Sequence, residues 1–125
     1  MNRHENRAKE YLLHMLEALG RVGLYTAGLS FEQFLASQLI QDAVVRNIAV
    51  VGEAAKQLMD AAPEFSQAHP EIPFAQVYGM RNRVIHGYST VDPITDWDSV
   101  QVDAPELRRL IVAVVDGLPD ELRRA

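Results

Sequence analysis

The chain has 125 residues and a formal net charge of −5, with 48% hydrophobic and 23% charged residues. That balance is typical of a globular protein and excludes a disordered chain, and no apolar run reaches the roughly 18 residues of a membrane-spanning helix. The absence of cysteine excludes disulfides and thiolate zinc sites. We therefore expect a single domain over residues 1–125 with no membrane partner. The charged N-terminus is unlike a signal peptide, which favours a cytoplasmic location.

The acidic balance limits how the chain could bind nucleic acid. A protein of net negative charge gains no general attraction to a phosphate backbone. Binding would require a local basic pocket, or one that a second chain completes.

The first half of the chain predicts two long helices. Apolar residues recur at intervals of three and four over about residues 4–26, and Gly28 stands where a C-terminal cap is expected. Ser30 and Gln33 then have the pattern of a capping box, a hydroxyl followed three residues later by an amide side chain. The pattern predicts one uninterrupted helix from there to about Ala62.

The second half predicts shorter helices. Three prolines over residues 63–73 indicate a connection with one short helical turn, followed by a helix over about residues 73–88. Asp92 and Pro93 form a further start signal, and Pro105 should kink or interrupt the helical stretch that contains it. No segment alternates as a half-buried strand does. We therefore expect an all-α, up-and-down bundle of four to five helices, two of them long.

One arginine falls where a charge is unusual. At about 100° per residue, Arg81 lies in the middle of the apolar face that Val77 and Val84 help to form. Arginine cannot shed its charge, so its burial requires an anionic partner or a lined cavity. Two interpretations remain open: a structural ion pair, for example with Glu53, and a phosphate-binding arginine in a cleft.

Asn82 and His86 are four residues apart and are therefore neighbours on the same helix. His86 also has two interpretations. It is either a helix-terminal histidine favoured by the helix dipole, with Gly87 as the cap, or a general acid–base, since histidine titrates nearest to neutral pH.

The second long helix carries polar residues on both sides. Asn47 falls on its apolar face, where a buried amide is usually a satisfied hydrogen bonder between helices. Arg46, Glu53 and Gln57 form a polar stripe on the other side, which is typical of a solvated face. Gly52 costs about 1 kcal/mol against alanine inside a helix, and close helix packing would be one reason to tolerate it.

Several classes of enzyme are not indicated. The sequence has no phosphate-binding glycine loop, no dinucleotide-binding glycine pattern and no nucleophile elbow. Its four histidines lack metal-ligand spacing, so we expect neither a metal site nor a cofactor.

The segment over residues 81–88 resembles the motif of the HepT-like toxins of the HEPN superfamily, which is Arg, four residues, His, one residue and Tyr. Two further blocks are similar to the family's, one within residues 46–56 (Arg-Asn, then Val-Gly-Glu-Ala-Ala-Lys) and one within residues 91–98 (Val-Asp, then Trp-Asp). The similarity covers about residues 5–118. Three ordered blocks on an all-helical chain of this length are much more specific than a bare Arg-x4-His spacing.

The resemblance implies a HEPN-like bundle, a homodimer and a metal-independent endoribonuclease that acts on RNA, with tRNA as a candidate substrate. It also implies a toxin whose partner is a cognate minimal nucleotidyltransferase antitoxin (MntA-like). By position, Arg81 and His86 are the catalytic pair, and Asn82, Asn47 and Glu53 have supporting roles.

The motif geometry agrees with a dimer. Arg81 and His86 diverge by about 140° on a straight helix, so one helix does not readily aim both at one atom. Two copies across a two-fold axis could bring them to one phosphate and would pool positive charge. The resemblance also implies that the antitoxin transfers AMP to Tyr88, which lies on the Arg81 face if the helix continues that far.

A function of another class remains open. Arg81 and His86 could hold a nucleotide phosphate without cutting RNA. The chain would then be a non-catalytic nucleotide-binding or scaffold partner of a nucleotidyltransferase. The same two residues serve phosphate binding and phosphate cleavage, so the sequence does not choose between the two functions.

Overall fold

The computed structural model describes residues 3–86 and 93–119, and all regular structure within these ranges is helical. Two helices have 24 residues, α1 (Arg3–Thr26) and α3 (Gln38–Ala61). Two have 13 residues, α5 (Phe74–His86) and α7 (Ala104–Asp116). The short helices of six residues are α2 (Phe31–Ala36), α4 (Pro63–Ala68) and α6 (Pro93–Asp98). The expected all-α bundle with two long helices is confirmed. No helix in these ranges is long and apolar enough to cross a membrane.

Two clusters of buried residues show how the long helices run. Val22 near the end of α1, Val44 near the start of α3 and Val84 near the end of α5 share the smaller cluster. Residues from the other halves of these three helices share the larger one. Neighbouring long helices therefore run in opposite directions. As a result, the end of α5 at His86 lies at the same end of the bundle as the start of α3.

The prediction of one uninterrupted helix from Ser30 to Ala62 is wrong at Ser37. The predicted capping box is present: the Ser30 hydroxyl accepts from the Gln33 N–H, and the Gln33 side chain accepts from the Ser30 N–H. That helix, however, is the short α2. Ser37 then has an extended backbone, with φ −115° and ψ 98°, and its hydroxyl accepts from the Ile40 N–H to begin α3. A serine hydroxyl competes with the helical hydrogen-bond ladder, and the helical spacing of apolar residues does not record that competition.

Pro105 does not break the helix it lies in. α6, a π-helical segment (Ser99–Asp103) and α7 come one after another without a gap, and Pro105 lies in the first turn of α7. A proline ring inside an α-helix clashes with the carbonyl four residues earlier, here that of Gln101. The widened π turn contains that carbonyl. The expected interruption therefore takes the form of a local change of helix type.

Predicted turns between the helices are confirmed where they are described. Gly28 has a φ of +74°, the left-handed conformation expected of a C-terminal cap. The connection rich in proline contains the single short helix α4. The helix predicted over residues 73–88 is α5 as far as His86, and residues 87–92 lie outside the described ranges.

Helices α3 and α5 approach each other closely at Gly52. A Cβ atom added there would overlap the Cβ of Arg81, and it would lie 3.1 Å from the carbonyl oxygen of Val77. Glycine is thus present for close helix packing, as the sequence suggested. The base of the Arg81 side chain lies directly against the backbone of α3.

We expect Gly52→Ala to lower the free energy of unfolding by about 1–3 kcal/mol, because α3 and α5 must separate to admit the methyl group. Gly79→Ala in α5 is the matched control, since nothing lies within 4 Å of a Cβ added there. It should be neutral or raise the same free energy by up to about 1 kcal/mol through helix propensity. Urea unfolding followed by circular dichroism measures both. Equal effects of the two substitutions would contradict the close approach.

Candidate functional site

A polar groove of about 370 Å³ lies along α3, between α1 and α5. We refer to it as the polar groove. Its lining comes from three helices: His14, Glu17 and Arg21 of α1; Arg46, Ala49, Val50, Glu53, Ala54 and Gln57 of α3; and Arg81 of α5.

Helical spacing brings these polar side chains to one surface. The charged and amide residues of α3 that line the groove are seven and four residues apart, and those of α1 are three and four apart. Both spacings place residues on one side of a helix. The polar stripe that the sequence assigned to a solvated face of α3 is therefore the floor of a groove.

Arg81 reaches into this groove from α5. Its side chain is 24% exposed, and its Nε lies 3.6 Å from Oε2 of Glu53. One Nη1 hydrogen is donated to Oδ1 of Asn82 over 3.0 Å. The structure thus confirms the ion pair with Glu53 that the sequence suggested.

The guanidinium of Arg81 is nevertheless poorly satisfied. Its Nε is buried and has no hydrogen-bond partner, because 3.6 Å is too long for a hydrogen bond to Glu53. A guanidinium carries five N–H donors. Within the described part of the chain, Asn82 accepts from one of them. The remaining donors have no acceptor among the described residues.

The residues predicted to have supporting roles lie in two places. Glu53 and Asn82 both contact Arg81, at its Nε and Nη1 atoms. Asn47 is buried away from the polar groove, and its Nδ2 donates to the carbonyl oxygen of Ala43 over 2.8 Å. That hydrogen bond lies within α3, whereas the sequence favoured one between helices. Asn47 thus satisfies its amide on its own helix, at the carbonyl four residues earlier.

His86 is the last residue of α5, five positions after Arg81. At the rise of an α-helix, its backbone lies about 7.5 Å further along the axis. That direction leads to the end of the bundle where α3 begins. The His86 side chain, Gly87 and Tyr88 lie outside the described residues.

The contribution of α1 to the groove is not foreseen from the sequence. Arg21 donates to Oε1 of Glu17 over 2.7 Å, one turn earlier, and both are well exposed. Such a pair looks like ordinary surface charge. The spacing of three and four along α1 was available as a signal, but it does not reveal that this side of α1 borders α3.

The neighbouring Arg83 belongs to a different surface. It is exposed and lines a second, mainly apolar groove of about 330 Å³ between α5 and α7. Arg81 and Arg83, two residues apart on α5, therefore line different grooves. Across residues 3–86 and 93–119, no group of three or more His, Asp or Glu side chains is placed to hold a metal ion.

Comparison with known proteins extends these observations. Residues 15–114 match the family model described as ribonuclease HepT-like. A protein of Thermococcus cleftensis, named as a probable ribonuclease HepT, is 36% identical over 80% of this chain and 88% of its own length. A protein of Methanocaldococcus jannaschii, named as a candidate RNase, is 33% identical over 88% of each chain. Another from Caldanaerobacter subterraneus, with a similar name, is 30% identical over 86% of this chain and 93% of its own.

No solved structure matches the chain significantly. The matched region contains α3, α5 and the second half of α1, and with them every residue that lines the polar groove except His14. The match of the family model over most of the length, and the identity to these relatives, show that the chain belongs to the HepT-like ribonuclease family.

Proposed function

We propose that this chain is a metal-independent endoribonuclease and the toxin of a toxin–antitoxin pair, acting in the cytoplasm as a homodimer. The observation that carries the proposal is Arg81, which lies in a polar groove with most of its donors unused by the described residues. The family and the ribonuclease names of the relatives support RNA as the substrate. We propose tRNA as a candidate substrate.

In the proposed reaction, His86 takes the proton from an RNA 2′-hydroxyl, and the 2′ oxygen attacks the adjacent phosphorus. The bond from phosphorus to the 5′ oxygen breaks, and that oxygen takes up a proton. Arg81 stabilises the negative charge that develops on the phosphoryl oxygens. The products are a 2′,3′-cyclic phosphate and a 5′-hydroxyl.

Glu53 and Asn82 are proposed to orient Arg81 for this role. The contact with Glu53 is an ion pair at 3.6 Å, and the contact with Asn82 is a hydrogen bond at 3.0 Å. We assign the contact with phosphate to the Nη atoms, because Nε is buried. Asn47 supports the site only indirectly, by its bond inside α3.

The dimer follows from the divergence of the two catalytic residues. Arg81 and His86 are separated by about 140° around a straight helix. We infer that two copies face each other so that the pair converges on one phosphate. Two grooves side by side also double the local positive charge, which an acidic chain needs to attract RNA.

The first test is incubation of the purified protein with total RNA in EDTA. We expect the parent to cut and to leave cyclic-phosphate ends. His86→Ala should cut about 10²–10⁴-fold more slowly, since general acid–base catalysis contributes that much. His69→Ala is the matched control, because this histidine follows α4 and is not among the residues that line the groove, and it should retain the parent rate.

A strict requirement for magnesium would contradict the proposed reaction. If a folded, dimeric parent cuts no RNA, tRNA included, the function is instead that of a non-catalytic nucleotide-binding or scaffold partner of a nucleotidyltransferase. Growth arrest on expression that His86→Ala relieves would support cleavage.

We further propose that the antitoxin silences this toxin by transferring AMP from ATP to Tyr88. The phenolic oxygen bonds to the α-phosphorus, pyrophosphate leaves and the phenol loses its proton. Tyr88 lies seven residues from Arg81, so a helix that continued through it would put the AMP phosphate beside Arg81 and block RNA.

Co-expression with the cognate antitoxin tests this silencing. Tyr88→Phe should cut RNA normally, gain no AMP by mass spectrometry and escape neutralisation. Tyr78→Phe, a half-buried tyrosine of α5, should still be neutralised like the parent. Neutralisation of Tyr88→Phe would refute silencing at this residue.

A further inference from the structure

The polar groove continues past Arg81 to two more arginines. Arg46 precedes Glu53 by seven residues on α3, which is about 10 Å along the helix axis. This displacement leads towards the start of α3, the end of the bundle at which α5 finishes with His86. Arg21 lies at the same end, because its neighbour Val22 shares a core cluster with residues from the first half of α3.

These two arginines differ in whether a carboxylate pairs with them. Arg21 is held by Glu17 over 2.7 Å. Arg46 is exposed and has no ion pair in the part of the chain that the structure describes. The groove therefore contains one cation bound to Glu53, one bound to Glu17 and one uncompensated, which is Arg46. An uncompensated arginine that lines the same groove as two other arginines favours an anion.

We propose that Arg46, assisted by Arg21, binds a second phosphate of the RNA, so that the polar groove holds a stretch of single-stranded backbone. This inference rests on the proposed function, in which Arg81 contacts the phosphate that is cut. The second phosphate lies on the side of Arg81 towards which α5 continues to His86. Arg46 is a binding residue for the substrate and takes no part in proton transfer.

The lining of the groove also indicates the kind of recognition. Among the described residues that line it, His14 has the one aromatic ring and there is no Phe, Tyr or Trp, so the groove offers little aromatic surface on which bases stack. Arginine contacts to phosphate carry no direct sequence information. Binding along this groove is therefore dependent on salt and indifferent to base identity.

Glu17 competes with the RNA for Arg21. A carboxylate 2.7 Å from that guanidinium must yield part of its contact when a phosphate arrives, and it repels the phosphate as well. Removal of its charge should therefore tighten RNA binding. This expectation separates a phosphate site from a pair of arginines that are only surface charge.

The test measures the affinity of a short single-stranded RNA of mixed sequence at several salt concentrations, with all variants in the His86→Ala background to prevent cutting. Arg46→Gln should bind about tenfold more weakly at 0.1 M salt, the value of one charged hydrogen bond. The slope of log affinity against log salt should fall by about 0.7, the contribution of one phosphate on a single strand. Arg108→Gln makes the same charge change on α7, outside the groove, and should leave the slope unchanged.

Variants that lose a glutamate charge should change RNA affinity in the opposite direction. Glu17→Gln should bind RNA more tightly, by about threefold or more. Glu106→Gln removes an equal charge from the Glu106–Arg109 pair on α7, away from the polar groove, and should change affinity much less. Parallel circular dichroism shows that each variant is folded.

Two results would overturn the inference: equal salt slopes for Arg46→Gln and Arg108→Gln, or no gain from Glu17→Gln beyond that from Glu106→Gln. Neither affects the proposed function, which cleavage by the parent with His86 intact decides separately. Conversely, binding that depends on Arg46 in a parent that never cuts would support the second phosphate site and reject the ribonuclease.

Discussion

The close approach of α3 and α5 at Gly52 is the constraint on which the site depends. A side chain at this position would overlap Arg81, so glycine alone lets the arginine stem lie against α3. The guanidinium then emerges beside Glu53 in the polar groove, although the residue belongs to a helix face that is otherwise apolar. Burying a permanent charge requires an anionic partner. Glu53 is that partner, but it lies at an ion-pair distance from Nε and leaves this atom without a hydrogen bond.

Much of this arrangement can be predicted from the sequence, because helical periodicity is a local property. It placed Arg81 in the middle of the apolar face of α5. The burial expected there suggested Glu53 as a partner, and the cost of glycine inside a helix suggested close packing at Gly52. The break at Ser37 escaped prediction, because the apolar spacing continues across a serine that ends one helix and begins the next. The polar groove was not predicted from the sequence either. It requires knowledge that α1 and α3 lie side by side, and the exposed Arg21–Glu17 pair carries no sign of that.

The family and the structure answer different questions. Membership of the HepT-like ribonuclease family indicates RNA as the substrate. The structure shows a groove lined by three arginines, in which we propose that a phosphate binds, in a chain whose net charge is −5. Three arginines and two glutamates line the polar groove, a local excess of one positive charge. Positive charge is therefore concentrated where the proposed reaction needs it, and a second copy of the chain would add to it.

The central claim is that the Arg81 guanidinium binds the phosphate that is cut, and it is tested most directly by RNA cleavage with Arg81→Ala, with and without millimolar free guanidinium. The account predicts a rate about 10²–10³-fold below the parent, the cost of losing one donor to a developing oxyanion. It also predicts partial recovery when guanidinium enters the space that the side chain left, and no such recovery for His86→Ala. A folded Arg81→Ala that cuts at the parent rate would contradict the account and reduce Arg81 to a structural ion pair with Glu53.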